Sequence, residues 1–128
     1  MTLMQKSVLK NISIEKNNIL IEEIPFIGKL NLRGNIKDKE FLSNVGSILE
    51  VLLPLDPNTK IQNKHFQVIW LSPNEWLISF INNELFVKTL NALNHKLNPE
   101  KTSITDISDN KTIIRIKGRG VKDLLRKF

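Results

Sequence analysis

Two histidines, His65 and His95, are the only side chains in this sequence whose ordinary titration falls near neutral pH. A hydrolytic relay needs one of them between a hydroxyl nucleophile and a carboxylate that orients the ring. His65 stands just ahead of an apolar run and His95 on the polar side of a helical pattern, so both are expected on the solvated surface. There is no cysteine, which removes disulfides, thiolate nucleophiles, iron–sulfur ligation and cysteine-type zinc sites. The histidines also lack the i, i+4 spacing that puts two imidazoles on one helix face, so no metal site is expected.

Other residues with chemical potential gather in three places. The run Asp106-Ile107-Ser108-Asp109-Asn110 offers oxygen ligands to a hard cation, but it lacks the central glycine and distal glutamate of a calcium loop. Asp109-Asn110 reads as a turn, and Asp106, inside a strand, must face outward or find a hydrogen-bond donor. Gly118-Arg119-Gly120 shares two glycines with a dinucleotide-binding turn, yet the third position is Asp123, which repels phosphate. A tight strand-to-helix turn is what remains. Trp70 and Trp76 flank a short turn with Glu75 between them; such indoles can stack flat rings, but more commonly they fill a core or a subunit interface. The expectation is a chain with no catalytic, cofactor-binding or metal-ligating residue.

Periodicity predicts the elements that position these residues. Residues 7–24 carry apolar residues in short bursts between Asn and Lys, an irregular or weakly strand-like pattern. Residues 30–34 alternate up to a glycine and predict a strand. Asp38 can cap a helix with the stripe Phe41, Leu42, Val45, Ile48, Leu49 and Leu52, ended by Pro54. Residues 54–63 read as a loop. Runs 66–71 and 76–81, around Ser72-Pro73-Asn74-Glu75, predict a β-hairpin. Asn82 or Asn83 can cap a second helix with Leu85, Phe86, Leu90, Leu93 and Leu97 on its buried side, ahead of Pro99. Residues 103–108 and 112–117 predict a second hairpin around Asp109-Asn110, with Ile114 and Ile116 on one face. Val121, Leu124, Leu125 and Phe128 recur at the spacing of an amphipathic helix. The sum is an α+β fold: a mixed or antiparallel sheet of hairpins with helices on one face.

At 128 residues and 41% hydrophobic content the chain is sized for a single domain, residues 1–128, with 1–29 as an irregular lead. No apolar run approaches the roughly 18 residues of a membrane helix, and the N-terminus has no signal-peptide pattern. A cytoplasmic protein with no membrane partner is expected. The formal charge is +6, but the 19 Lys and Arg are scattered, and the densest cluster, residues 111–127, is interrupted by isoleucines and acids. Scattered charge argues for a solvated surface and against nucleic acid as a partner.

Several segments, in order and at similar spacing, resemble the gamma subunit of heterotetrameric sarcosine oxidase. They are Leu32-Arg33-Gly34, Leu53-Pro54 followed by Pro57-Asn58-Thr59, and Trp70-Leu71-Ser72-Pro73-Asn74-Glu75-Trp76-Leu77-Ile78. Asp106-Ile107-Ser108-Asp109, residues 112–118 and Asp123-Leu124-Leu125 complete the set. The block from Trp70 to Leu77 is the most specific, and the resemblance covers residues 30–128.

The resemblance implies a noncatalytic subunit of a bacterial complex that oxidatively demethylates sarcosine to glycine. The one-carbon unit would pass to tetrahydrofolate or leave as formaldehyde, with hydrogen peroxide as a product. It implies alpha, beta and delta subunits as partners, with alpha in direct contact, and a relative of the folate-binding aminomethyltransferase fold. FAD, FMN, NAD and tetrahydrofolate would belong to the other subunits, as would a zinc ion in delta, leaving no cofactor in this chain. Family members usually have Gly-Pro where Gly118-Arg119-Gly120 stands, and they continue past the last helix, so a C-terminally short member is expected. The stripe Val121, Leu124, Leu125, Phe128 would then need a partner or self-association to cover it. Two rival readings are a stand-alone folate-binding protein, with Trp70 or Trp76 stacking the pterin and Asp106 accepting from it, and a basic RNA-binding module.

Overall fold

The computed structural model describes Ser7, Leu9 and residues 12–127. In chain order the strands are β1 (Ser13–Lys16), β2 (Ile19–Ile24), β3 (Lys29–Arg33), β4 (Lys60–Gln62), β5 (Phe66–Ser72), β6 (Glu75–Phe80), β7 (Ser103–Asp106) and β8 (Ile113–Gly118). The helices are α1 (Lys39–Leu49), α2 (Phe86–Lys96) and α3 (Val121–Leu125). The chain divides into two compact units, residues 28–108 and residues 1–27 with 109–128. Among the described residues, no helix is long and apolar enough to cross a membrane.

Residues 28–108 build an antiparallel five-stranded sheet in the order β4-β5-β6-β3-β7. Strand alternation sends Leu30 and Leu32 of β3 to the same side as Ile78 and Trp76 of β6 and Val68 of β5. That side packs against Phe41, Val45 and Leu49 of α1 and Leu93 of α2, all buried in one cluster. The α+β fold with helices on one face of an antiparallel sheet is therefore as expected from periodicity.

Local chemistry sets the helix boundaries. Asp38 caps α1, its Oδ1 accepting from the amides of Glu40 (3.0 Å) and Phe41 (3.2 Å). Glu50 turns left-handed at φ 58° and ends the helix there. The predicted stripe thus stops at Leu49: Leu52 lies beyond the cap and is 82% exposed, while Leu53 takes the buried place. Asn82 accepts from Glu84 N and starts a 3₁₀ turn, Asn83–Leu85, that feeds α2. Gly34 follows β3 where a side chain has no room, since an added Cβ would meet the Phe41 ring at 2.3 Å.

Two expectations need correction in this unit. The predicted loop 54–63 contains β4, which pairs with Gln67, Val68 and Ile69 of β5; three residues are too few for alternation to show in a sequence. The runs read as a second hairpin do not pair with each other. β7 pairs with β3, Ile104 opposite Leu32 and Asp106 opposite Leu30, while β8 belongs to the other unit. The chain leaves β7 at a side-chain turn in which Asp106 Oδ1 accepts from Ser108 N at 2.9 Å, before Asp109 is reached. Ile107 is buried there, its N–H donating to Lys29 O at 3.0 Å, and Lys29 N–H donates to Ser108 Oγ at 2.9 Å.

The other unit is an antiparallel three-stranded sheet, β1-β2-β8, with β2 in the middle. The segment read as irregular is a hairpin. Asn17 and Asn18 both take left-handed backbone, φ 54° and 62°, the conformation of a two-residue turn between right-twisted strands. Glu23 of β2 is buried, and its carboxylate accepts from the Ser7 hydroxyl, Leu9 N (3.1 Å) and Thr112 Oγ1 (2.7 Å). Gly118 ends β8 at φ 134°, where an added Cβ would lie 2.0 Å from the carbonyl oxygen of Asn18. Gly120 then opens the five-residue α3, with Leu125 exposed; Phe128 of the predicted stripe lies outside the described residues.

Candidate functional site

The polar end of the five-stranded sheet holds a cleft of about 420 Å³ lined by Arg33, Ser72, Asn74, Glu75 and the loop 100–103. Register explains the gathering. Arg33 closes β3 opposite Glu75 of β6 on one side and opposite Ser103 of β7 on the other, so three chain-distant residues stand in one row. The β5–β6 turn brings Ser72 and Asn74 to the same end, and it is anchored by Asn74 O and Oδ1, which accept from Gly34 N (3.1 Å) and Ile36 N (3.2 Å).

Glu75 is the centre of the cleft's electrostatics. Its Oε2 accepts from Asn31 Nδ2 at 2.8 Å and lies 2.9 Å from the Arg33 guanidinium; its Oε1 accepts from Ser72 Oγ at 3.3 Å. The Asn31 amide above all, then the Arg33 charge and the Ser72 hydroxyl, hold the carboxyl below its usual 4.5, outweighing the opposing effect of burial. A carboxylate so held stays ionised at neutral pH and has its oxygens occupied, which suits it to fixing Arg33 and the turn rather than to moving protons. Thr102 and Ser103 also border a neighbouring groove of about 380 Å³ lined by Leu93, Leu97, Pro99 and Ile104.

The residues singled out from the sequence do not converge on this cleft. His65 is held through its backbone, its N–H donating to Asn63 Oδ1 at 2.8 Å, and its ring meets the edge of Phe66 at 6.0 Å. His95 is exposed in the last turn of α2, and Asp106 and Asp109 are exposed near the other end of β7. Among the described residues, no group of three or more His, Cys, Asp and Glu is placed to hold a metal ion. Trp76 is fully buried, its Nε1 donating to Pro54 O at 2.7 Å, so its ring cannot stack a ligand. Trp70, opposite Trp76 in the register, packs against the core with its indole nitrogen buried and unpartnered. Gly118 and Gly120 serve strand pairing and a chain turn. Sequence reasoning passed over Asn31 and Arg33. The available signal was their alternation with Leu30 and Leu32, which puts two polar side chains on the outer face of a half-buried strand.

No family model and no curated protein matches the sequence. In three dimensions the chain is similar to a chain of the heterotetrameric sarcosine oxidase from Corynebacterium sp. U-96, solved in complex with pyrrole 2-carboxylate. The TM-score is 0.75 at 22% identity, over 90% of this chain. The match spans 58% of the length of the sarcosine oxidase chain. At that identity the likeness establishes a common fold.

Proposed function

We propose that this chain is a noncatalytic structural subunit of a heterotetrameric sarcosine oxidase. The observation that carries the proposal is the common fold over 90% of the chain, reached independently of the motifs in residues 30–128 that resemble the gamma subunit. The complex would oxidatively demethylate sarcosine to glycine with transfer of the one-carbon unit to tetrahydrofolate, in the cytoplasm. FAD, FMN, NAD and tetrahydrofolate would sit in other subunits. The alpha subunit would be the direct neighbour, with beta and delta completing the assembly.

The cleft is in keeping with a supporting role. Its one carboxylate with strong partners, Glu75, is tied to Asn31, Arg33 and Ser72, and neither histidine lines it. The rival folate-binding reading requires an indole and Asp106 to share a pocket. Trp76 is fully buried, and Trp70 and Asp106 stand three strands apart in the sheet.

Co-expression of the full chain with alpha, beta and delta candidates from the same genome, followed by tagged purification, tests the proposal. A four-chain complex that oxidises sarcosine is expected. A chain that purifies alone from that mixture would overturn it.

A further inference from the structure

The three-stranded sheet shows isoleucine to solvent on one side. Its register sets Ile14, Ile21 and Ile116 in a row across β1, β2 and β8; alternation adds Ile19 on one side of that row and Ile12, Glu23 and Ile114 on the other, the buried Glu23 carboxylate being closed off by Ser7, Leu9 and Thr112. Four of the six isoleucines remain open: Ile12 is 48% exposed, Ile14 55%, Ile21 36% and Ile114 51%. The reverse face mixes Glu15 opposite Leu20 and Lys117 and the Glu22–Arg115 ion pair with the half-buried pair Ile24–Ile113. The more exposed apolar residues lie on the isoleucine face, and burying them is what a second surface there would gain.

Charge distribution decides what covers that side. Residues 1–27 and 109–128 hold ten of the 19 Lys and Arg but only five of the 13 acids, so this unit carries +5 of the chain's net +6. In residues 28–108, nine basic and eight acidic side chains almost cancel. Lys16 lies on the isoleucine face itself, opposite Ile19, and Lys117, Arg119, Lys122 and Arg126 are exposed in the same unit. A second copy docked face to face would bring +5 against +5, which like-charge repulsion opposes.

We infer that the isoleucine face of the three-stranded sheet is the docking surface for a different protein chain whose contact patch has an apolar centre and an acidic rim. This deepens the subunit proposal and rests on it, since it names the surface through which the chain joins its complex.

The test uses the full chain, tagged and co-expressed with the alpha, beta and delta candidates, with purification at about 50 mM and about 500 mM salt. Ile14→Asp and Ile114→Asp alter exposed positions of the face, and Leu52→Asp, exposed in the other unit, is the control. Circular dichroism checks that each variant folds; if an aspartate unfolds the sheet, Ile14→Ser and Ile114→Ser replace it. Wild type and Leu52→Asp are expected to capture partner subunits, and the isoleucine variants at least tenfold less, with capture weakened at high salt. Undiminished capture by folded isoleucine variants would overturn the inference while leaving the subunit proposal standing. Capture of no subunit by wild type would overturn both. A wild-type homodimer dissolved by Ile14→Asp, or binding to phosphatidylserine vesicles lost in the same variant, would assign the face to another occupant and also overturn it.

Discussion

The indole N–H of Trp76 donates to the main-chain carbonyl of Pro54 at 2.7 Å, across 22 residues of sequence. The bond fastens the loop after α1 to the middle of the five-stranded sheet, and the same ring tilts against Phe41 of α1 at 5.8 Å. One buried side chain thus joins strand, helix and loop, through packing and a polar contact together.

Trp76→Phe keeps an aromatic ring but leaves the Pro54 carbonyl without this donor. The expected loss is about 1–3 kcal/mol, from the lost bond to this part-buried carbonyl together with the void left by the smaller ring. Urea denaturation should show a lower midpoint with an unchanged slope. A midpoint equal to that of wild type would mean that neither the hydrogen bond nor the packing of the larger ring contributes.

Glu75 makes stability depend on pH in one direction. Its folded carboxyl, held by Asn31 and Arg33, titrates below the ordinary 4.5 of an unfolded chain. The contribution is therefore fully present above 4.5 and is lost as pH falls through the depressed folded value. Melting temperatures from pH 7 down to pH 3 should fall more steeply for wild type than for Glu75→Gln. Parallel curves would show that the carboxylate is not held as described.

Gly34→Ala forces a methyl group into the space of the Phe41 ring. Overpacking of this kind costs about 1–3 kcal/mol. Phe41→Leu, which shortens the obstructing side chain, should recover part of the loss when combined with it. The measurement is a double-mutant cycle, and simple additivity of the two changes would exclude the clash as the cause.

Gly118→Ala combines a positive φ with a Cβ directed at the Asn18 carbonyl. Backbone strain of about 1–3 kcal/mol is expected, confined to the β2–β8 ladder. Hydrogen exchange should quicken at amides of β2 and β8 and stay unchanged at Leu30 and Leu32. Equal quickening in both sheets would contradict the division into two units.

Much of the fold was legible because it rests on local chemistry. Asp38 and the spacing of Phe41, Val45 and Leu49 announce α1, and two aromatic runs around Pro73-Asn74 announce the β5–β6 hairpin. The hairpin at Asn17-Asn18 was missed because no glycine marks its two left-handed residues. The pairing of β7 and β8 was misjudged because closeness in sequence favours a hairpin, whereas their real partners, β3 and β2, lie far up the chain. The cleft was hidden for the same reason. Glu75 stood out only as a residue between tryptophans, and its strongest partner, Asn31, is 44 residues away.

The bonds of Lys29 with Ile107 and Ser108 close residues 28–108 on themselves, while β2 precedes and β8 follows that segment. Growth of the chain from its N-terminus therefore imposes an order of assembly. β1 and β2 emerge ahead of β8 as a bare two-stranded ribbon, which is marginal in water, and wait for it over roughly 90 residues. At ribosomal speed that delay is about 5–20 s, long enough for the five-stranded body to be finished meanwhile. A chain truncated after Ser108 should accordingly resist protease over residues 28–108 and be cut within residues 1–27; digestion throughout would refute this order. β8 is the strand that ends the wait of β1 and β2.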